Sequence, residues 1–388
     1  MSEIRVDTIS EKTSGSGTTV SNLKNPGSLG RNLIINGDMV ISQRATGTTT
    51  ISGNAHNTLD RFAGMESTDG TATLEQHSMS VADQATTGQR YAALWKCSGT
   101  DSSIGSAQYA GLSYFAEAQH LQHLLYGTSA AKDLTISFWV KSNTTGTYSL
   151  GIYKPDNTGL YHPTTYTISS ANTWEKKSIH ISPTAGSTSL ITASGGAIAN
   201  DNGLGIAFYF YTALGSTYHT SAINTWSTTA DFGTSDQPNL MSSTDNNWYI
   251  TGVQLEIGTT ASDFEHVPLD VQLQRCLRYC NVINGVGGGN FGTIAPGYVT
   301  ASTHGYFTVV HPLPMREAPW ETTSADSDFV LADGSGSSIA TTGIAVNQGG
   351  LDRTLLLATV SSGLTAGRGS AMLFNNKTTA TITLDAEI

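Results

Sequence analysis

The sequence is short of charge, and the charge that it carries is mostly acidic. Only 13% of the 388 residues are Asp, Glu, Lys or Arg, where about 25% is usual in a soluble domain. The 19 basic residues stand against 30 acidic ones, so the formal net charge is -11 at pH 7. Nucleic-acid binding would need a basic stripe that the chain lacks, and anionic lipid would repel it. We therefore expect neither nucleic acid nor a membrane as a partner.

The sequence also lacks a long apolar run. Its first ten residues, MSEIRVDTIS, contain no apolar core of the kind found in a signal peptide. The longest apolar stretches, such as residues 355–360, are far too short to cross a bilayer. These absences predict a soluble protein that is made in the cytoplasm of a cell and does not insert into membranes.

Cysteine is scarce, with only Cys97, Cys276 and Cys280 present. An odd number fits a reducing compartment better than a disulfide framework. Cys276 and Cys280 lie four residues apart in a segment with helical periodicity, which is a poor geometry for a disulfide. Because two thiols alone make a weak metal site, we interpret the pair as small packing residues.

The short motifs of common enzyme classes are missing. We find no G-x-S-x-G elbow, P-loop, Rossmann fingerprint or H-E-x-x-H, and no repeated His/Cys metal spacing. Short regular repeats, which a polysaccharide-degrading β-helix would show, are also missing. The sequence therefore predicts a protein that is not an enzyme. A hydrolytic pair of carboxylates among the 30 acidic residues stays open as an alternative.

What the chain does contain is turn residues and short alternating segments. Gly alone contributes 41 residues, and hydrophobic residues reach 38%, which is enough for a folded core. The segment LTISFWVK at 134–141 alternates cleanly between apolar and other residues, as a half-buried strand does. Further strands are predicted at 73–80, 90–97, 147–153, 164–169, 174–181, 205–212, 248–256, 305–311, 328–331, 354–361, 370–375 and 380–385. Short, regularly spaced strands with such turns are typical of a sandwich or barrel.

Three parts are predicted along the chain. Residues 1–30 form an arm, in which a strand carrying Ile4, Val6 and Ile9 is followed by a Gly/Ser/Thr-rich stretch that needs a partner. Residues 31–268 form one large β-sandwich. Residues 269–388 begin with a linking helix and continue as a smaller β-domain.

Two local interpretations depend on side chains near these strands. Residues 114–126 have apolar residues at helical spacing and end at a glycine, so they predict a helix; His120 and His123 on it are interpreted as surface residues rather than as a metal pair. Asp60 and Arg61 are interpreted as a charge-assisted pair that fixes the entry to a strand.

Four segments together resemble tail-fibre and related virion proteins of marine and cyanobacterial podoviruses. They are EIRVDTIS with the Gly/Ser/Thr stretch after it, NLIINGDMVISQR (32–44) with TLDRF (58–62), LTISFWVKSNTTGTYSL (134–150), and WYITGVQLEIGTTASDFEHVPLDVQLQRCLRYC (248–280). The second segment resembles the opening of phage tail sandwiches similar to family-4-type carbohydrate-binding modules. HPLPMREAPW (311–320) resembles the start of the C-terminal domain in these proteins.

This resemblance implies a jelly-roll sandwich that assembles as a homotrimer on a phage tail. The chain would be synthesised in the host cytoplasm, carried in the virion, and attached to other tail proteins through residues 1–30. The implied role is a tail-fibre subunit that binds a glycan of the host surface. The alternatives are a structural adaptor or head-decoration protein without glycan binding, and a polysaccharide depolymerase.

Sugar-binding sandwiches stack aromatic rings on sugar faces, and five side chains outside the predicted core are candidates for such contacts. They are Trp139, Lys141, Tyr153, Tyr209 and Tyr211. If their strands are neighbours, they line one concave aromatic surface, with Tyr161 beside Tyr153. The other interpretation is that each residue packs in the core or at a subunit interface.

No cofactor and no metal site is predicted. Carbohydrate-binding sandwiches often hold a structural calcium ion, and Asp38 and Glu256 lie in suitable segments. However, Thr251 and Gly252 occupy the positions where the resemblance implies an acidic pair, and two oxygen donors fall short of the six to eight that Ca²⁺ prefers.

Overall fold

The structure is a computed structural model that describes residues 30–186, 190–285, 291–334 and 338–388. Two six-stranded antiparallel sheets face each other, and a three-stranded sheet and a closed six-stranded barrel follow them. This confirms the predicted fold class, a mainly β jelly-roll sandwich with a short linking helix and a second, smaller C-terminal β-domain. No helix in the described residues is long and apolar enough to cross a membrane.

The sandwich is built from twelve described strands. They are β1 (Thr49–Thr50), β2 (Gly53–Ala55), β3 (Phe62–Glu66), β4 (Thr71–Ser78), β5 (Tyr91–Gly99), β6 (Tyr109–Glu117), β7 (Leu134–Ser142), β8 (Gly146–Lys154), β9 (Leu160–Ile168), β10 (Glu175–Ile181), β11 (Leu204–Leu214) and β12 (Asn247–Ile257). The first sheet has the order β1-β4-β5-β12-β7-β10, and the second has the order β2-β3-β6-β11-β8-β9. Successive strands often change sheet, so each sheet is assembled from distant segments of the chain.

The main core lies between these two sheets. Phe138 of β7 points inward, as the alternation predicts, and its ring meets Phe210 of β11 edge-on at 5.3 Å between centroids. Trp95 and Trp248, both fully buried, face each other as Cα partners in β5 and β12. These large side chains fill the space between sheets, where a wide sandwich would otherwise leave voids.

The helix predicted over residues 114–126 is wrong in its first part. Strand β6 continues through Glu117, and only Ala118–Leu124 turn into a 3-10 helix. Pairing with β3 on one side and β11 on the other outweighs the local helical spacing. The side chain of Tyr114 consequently lies in the core, whereas Phe115 points outward, away from it.

In NLIINGDMVISQR (32–44), the apolar residues on both sides of Asn36 and Gly37 predict two stretches of strand joined by a turn. The turn is present, but no regular strand is assigned within residues 30–48. A Cβ atom at Gly37 would lie only 2.0 Å from the carbonyl oxygen of Val253, so only glycine allows this close approach to β12. The Val253 amide donates to the Gly37 carbonyl at 2.9 Å, and this bond ties the segment to the sandwich.

In the part of the chain that the structure describes, two α-helices flank the sandwich. Helix α1 (Val81–Thr87) was not predicted; Ser80 caps it by accepting from the Asp83 amide, and Gly88 ends it at φ +74°. Helix α2 (Leu269–Leu277) was predicted, and it leads from the sandwich to the C-terminal region. Short 3-10 turns also occur at Ser194–Gly196, Ser216–Tyr218, Leu240–Ser242 and Asp326–Asp328.

The C-terminal region contains nine described strands. They are β13 (Cys280–Asn284), β14 (Thr293–Ala301), β15 (His304–Val310), β16 (Trp320–Thr323), β17 (Phe329–Ala332), β18 (Ser338–Gly349), β19 (Arg353–Val360), β20 (Gly369–Phe374) and β21 (Thr381–Asp385). The barrel has the order β14-β15-β19-β18-β17-β20, and the small sheet has the order β13-β21-β16. Strand β21 of the small sheet and the residues that follow it contact the sandwich.

Buried ion pairs join the last residues of the chain to the sandwich. Arg61, fully buried, pairs with the carboxylate of Glu387. Arg44 donates to Asp385 at 2.6 Å and lies 3.6 Å from Glu387. The predicted pairing of Asp60 with Arg61 is wrong, because Asp60 accepts from Gln43 and Arg61 turns to the C-terminal residues. Asp60 and Arg61 lie in a turn just before β3, and Arg61 has φ +71°, so local turn geometry and the buried C-terminal carboxylate direct its side chain away from Asp60.

A second set of contacts ties the linking helix to the sandwich. Glu117, at the end of β6, accepts from Arg278 at 2.5 and 2.9 Å and from the hydroxyl of Tyr279 at 2.6 Å. The ring of Tyr279 lies 3.5 Å below the guanidinium carbon of Arg61. The cysteines Cys276 and Cys280 are buried and unoxidised beside these groups.

Candidate functional site

The five side chains predicted to contact sugar do not form one surface. Trp139 and Lys141 belong to β7 in the first sheet, whereas Tyr153 belongs to β8, and Tyr209 and Tyr211 to β11, in the second sheet. All five point away from the core, so the two groups lie on opposite sides of the sandwich. The prediction of a single concave surface is therefore wrong. Alternation shows which side chains leave the core, but the sheet that a strand joins depends on distant pairing partners.

On the first sheet, Lys141 is already enclosed by the chain itself. Its ammonium nitrogen lies 4.9 Å from the ring centroid of Trp174, 4.6 Å from that of Tyr249, and 3.5 Å from a carboxylate oxygen of Asp83. Trp139 lines an adjoining recess of about 280 Å³. Two ring faces and a carboxylate satisfy the cation internally, so this side favours packing over ligand binding.

The second sheet carries a larger group of rings, which we call the tyrosine face. Its members are Phe115, Tyr153, Tyr161, Tyr209, Tyr211 and Phe232. Tyr153 and Tyr161 are Cα partners in β8 and β9, and their rings stack with centroids 4.7 Å apart. Tyr209 and Tyr211 are successive outward residues of β11, with centroids 6.2 Å apart. Strand alternation and register thus collect these rings on one rigid surface.

Phe232 comes from the loop between β11 and β12 and lies over part of this face. Its ring meets Tyr161, Tyr209 and Tyr211 edge-on, at centroid distances of 5.2, 5.4 and 6.3 Å. Its amide donates to the carbonyl of Tyr218 at 2.9 Å, which holds the loop in position. The chain thus supplies an aromatic cover for one part of its own aromatic surface.

Further hydrogen bonds fasten the loop to the sheet. The amide of Thr234 donates to the hydroxyl of Ser149 at 3.1 Å. The side chain of Gln237 bridges two strands, since it accepts from the Ser149 amide at 2.6 Å and donates to the Tyr211 carbonyl at 3.1 Å. Tyr211 is 5% exposed beneath this cover, whereas the rest of the tyrosine face is partly exposed. The face is therefore closed at one end and open at the other.

Burial raises the pKa of three tyrosine hydroxyls on this face. Desolvation raises the pKa of Tyr209 to about 12 and raises the pKa of Tyr211 further. Burial and the neighbouring ring of Tyr153 raise the pKa of Tyr161 as well. At neutral pH each hydroxyl can therefore both donate and accept a hydrogen bond, beside a ring that offers an apolar face.

Two members of the face were missed by sequence reasoning. Phe115 was assigned to a helix, although the alternating segment YAGLSYFAE at 109–117 carries the signal that places it on a strand. Phe232 lies outside any strand, and nothing in its surroundings in the sequence indicates that it returns to β11. Tyr161, in contrast, was placed correctly beside Tyr153.

A second candidate surface lies where the sandwich meets the small C-terminal sheet. We call it the junction groove; it has a volume of about 470 Å³. Its described lining residues are Arg44, Asn54, Ala55, His56, Asn57, Phe115, Trp320, Thr322, Thr383, Asp385, Glu387 and Ile388. Trp320 is 50% exposed and pairs across strands with Asp385, and Thr322 pairs with Thr383. No sequence signal pointed to this groove, because Arg44 and Asp385 are 341 residues apart.

The residues considered for metals are engaged elsewhere. Asp38 accepts from the side chain of Gln272 at 3.1 Å, and Glu256 accepts from the hydroxyl of Ser262 at 2.6 Å. His120 and His123 line a cleft of about 620 Å³ beside α2. Within the described ranges, no group of three or more His, Cys, Asp or Glu is placed to hold a metal ion. Ile4, Val6 and Ile9, predicted to anchor the chain, lie outside the described residues.

No protein-family model and no curated protein sequence matches the chain. Among solved structures, a family 11 carbohydrate-binding module from Clostridium thermocellum, in complex with a β-1,3-1,4-mixed-linked tetrasaccharide, is 13% identical with a TM-score of 0.27 over 57% of this chain and 99% of that one. A tandem of two family 22 carbohydrate-binding modules from Paenibacillus barcinonensis is 8% identical with a TM-score of 0.25, over 90% and 96% of the two chains.

The enzymatically active domain of tailspike protein 4 from bacteriophage CBA120 is 9% identical with a TM-score of 0.25. It matches 59% of this chain, which spans only 22% of that one. At such values the likeness carries no argument about ligand or role, and the proposals below rest on the residues of this chain.

Proposed function

We propose that the protein is a sugar-binding subunit of a phage tail fibre and that the open end of the tyrosine face contacts the glycan. The observation that supports this proposal is the set of partly exposed aromatic rings on adjacent strands of one sheet. Sugars present apolar C–H faces and many hydroxyls, which match aromatic rings beside protonated tyrosine hydroxyls. Because the rings stand on strands rather than on loops, little conformational entropy is lost when a ligand binds.

The proposed role is binding and not hydrolysis. Glycoside hydrolysis needs one carboxyl group that holds a proton near neutral pH beside a second, ionised one. Asp385 and Glu387 line the junction groove together, but Arg44 donates to Asp385 and Arg61 pairs with Glu387. Burial raises the pKa of Glu387, yet the arginines outweigh it and lower that pKa to about 2. Glu387 therefore stays ionised at neutral pH and does not serve as a proton donor.

The location on a phage tail rests on the resemblance of the four sequence segments. On that basis we propose that the chain is carried in the virion, with residues 1–30 attached to another tail protein and the sandwich directed at the host surface. The second candidate is a structural adaptor or head-decoration protein. An attaching arm at residues 1–30 fits this role as well, but such a protein would have no affinity for a glycan.

The test is a screen of the full chain on an array of bacterial capsular and lipopolysaccharide glycans. We expect Tyr153→Ala/Tyr161→Ala to lose about tenfold or more in affinity, because it removes two stacked rings, of which only Tyr161 contacts Phe232. Trp139→Ala is the matched control, since it removes an outward ring from the opposite side of the sandwich. Circular dichroism and thermal unfolding verify that each variant is folded.

Three results would overturn the proposal. Binding that depends on Trp139 and not on the tyrosines would move the site to the first sheet. A folded chain that binds no glycan on the array would leave the structural adaptor or decoration protein. Shortening of the bound polysaccharide during incubation would make the protein a depolymerase.

A further inference from the structure

The tyrosine face and the junction groove are joined by one row of residues across the second sheet. The register pairs Tyr161 with Tyr153, Tyr153 with Ala207, and Ala207 with Phe115. These four residues stand on the neighbouring strands β9, β8, β11 and β6, so the row spans roughly 14 Å at ordinary strand spacing. Ala207 lies between the aromatic residues of the row and is fully buried, so neighbouring side chains cover this step of the row.

Phe115 belongs to both surfaces. Its ring meets Tyr209 at 6.0 Å between centroids on the side of the tyrosine face. On the other side it lines the junction groove and meets the ring of His56 at 6.4 Å. A ligand that lies along the row past Phe115 therefore enters the groove without leaving the surface.

The groove has the chemistry of a sugar subsite. Trp320 offers a half-exposed aromatic platform, and Thr322, Thr383, Asn54 and Asn57 place hydroxyls and amides around it. Its volume of about 470 Å³ falls in the range of small-molecule pockets, about 300–1,000 Å³.

The charges of the groove exclude acidic sugars. Among the described lining residues, the guanidinium of Arg44 is held by Asp385 at 2.6 Å, and burial lowers the pKa of His56, which keeps it neutral. A uronate, sulfate or phosphate group would meet the paired carboxylates of Asp385 and Glu387 without a free cation to receive it. Uncharged and amino-bearing pyranoses meet no such repulsion.

We propose that the junction groove is a second saccharide subsite, contiguous with the tyrosine face through Phe115, and that the two take one extended chain of uncharged or amino-bearing pyranoses. This inference rests on the proposed function, since it extends the same binding surface. It makes the C-terminal region part of the receptor site and not only a structural appendage. It also selects the interior of a long polysaccharide over a single terminal sugar.

The experiment uses size-fractionated oligosaccharides cut from the polysaccharide that the full chain binds on the array. For the wild type, affinity should rise with length until the chain covers both surfaces. Trp320→Ala should leave the affinity for the shortest binding fragment unchanged and lower that for long fragments about tenfold, through loss of one stacking contact. Trp320→Phe should retain most of the affinity, because the ring is kept.

Tyr298→Ala is the matched control. Tyr298 is 52% exposed on the barrel and does not line the groove, so its removal should not change affinity at any length. An affinity that does not increase with length, or equal affinities of Trp320→Ala and the wild type for long fragments, would overturn the groove as a subsite while the tyrosine face stands. An affinity loss of about tenfold or more in Tyr153→Ala/Tyr161→Ala together with the length dependence supports both proposals, and a chain that binds no polysaccharide overturns both.

Discussion

At the scale of single residues, the last residues of the chain matter most, because they place charges inside the protein. Glu387 is 4% exposed and meets Arg61, which is completely buried, and Arg44. A buried pair loses its hydration, so its net contribution to stability is small, but the removal of one partner leaves the other charge buried and unpaired. The pair therefore fixes how the C-terminal strands dock on the sandwich.

Glu387→Gln should lower the free energy of unfolding by about 3 kcal/mol, as expected when one charge of a buried pair is removed. The difference in the free energy of unfolding between the variant and the wild type should reach its full size above pH 4.5. It should shrink as the pH falls toward 2, because the folded-state pKa of Glu387 is about 2 and the unfolded value is 4.5. Urea unfolding at several pH values measures both effects.

Glu317→Gln is the matched control for this prediction. Its side chain is 42% exposed and also pairs with an arginine, Arg316, so its loss should cost at most about 1 kcal/mol. Two results would contradict the role of Glu387 in a stabilising buried ion pair. One is equal destabilisation by the two substitutions, and the other is a loss of unfolding free energy in Glu387→Gln that does not vary with pH.

At the scale of elements, the sequence was informative wherever a strand alternates and uninformative where an element depends on remote partners. The segment 134–141 was predicted with the correct inward and outward residues. Residues 109–117 were misassigned in part, because helical spacing and strand alternation overlap there and only pairing with β3 and β11 decides. The cover formed by Phe232 could not be predicted, since a loop that returns across a sheet has no periodic signal.

The close contact between Phe232 and Gly151 leads to a prediction about the packing of the loop on the sheet. Gly151 lies in β8 beneath the loop, and a Cβ atom there would come within 2.8 Å of the Phe232 ring. Gly151→Ala should therefore displace the loop and cost about 1–3 kcal/mol, although alanine itself is acceptable in a strand. Hydrogen exchange at the amides of Phe232 and Thr234 should speed up, since both donate across the covered face.

The double variant Gly151→Ala/Phe232→Ala tests the cause. Removal of the ring relieves the closest contact, so Gly151→Ala should cost less in the Phe232→Ala background than in the wild type. If the double variant is instead less stable than Gly151→Ala by the full cost of Phe232→Ala alone, the clash is not the reason for the glycine.

At the scale of the whole molecule, the strength of glycan binding would depend both on the proposed binding surface and on the number of subunits that present it. The tyrosine face and the junction groove combine residues from both ends of the chain, which sequence reasoning could not bring together. A mainly β sandwich or barrel, in contrast, followed from composition and strand spacing, and the jelly roll was implied by the resemblance. The resemblance to tail-fibre proteins further implies a homotrimer. One sandwich with a shallow aromatic surface would bind a sugar weakly, and three sandwiches on one particle would add their contacts on a surface that presents many copies of the glycan.

Light scattering on the full chain should therefore give a mass close to three times 40.8 kDa. A variant that begins at Gly30 should keep the same number of subunits, because residues 1–30 are proposed to attach to other tail proteins. The trimer should bind a glycan-coated surface about 10²-fold or more tightly than it binds the matching soluble oligosaccharide, since only the surface engages several subunits at once. A stable monomer, or equal affinity for the surface and the soluble sugar, would contradict multivalent attachment and leave each subunit to act alone.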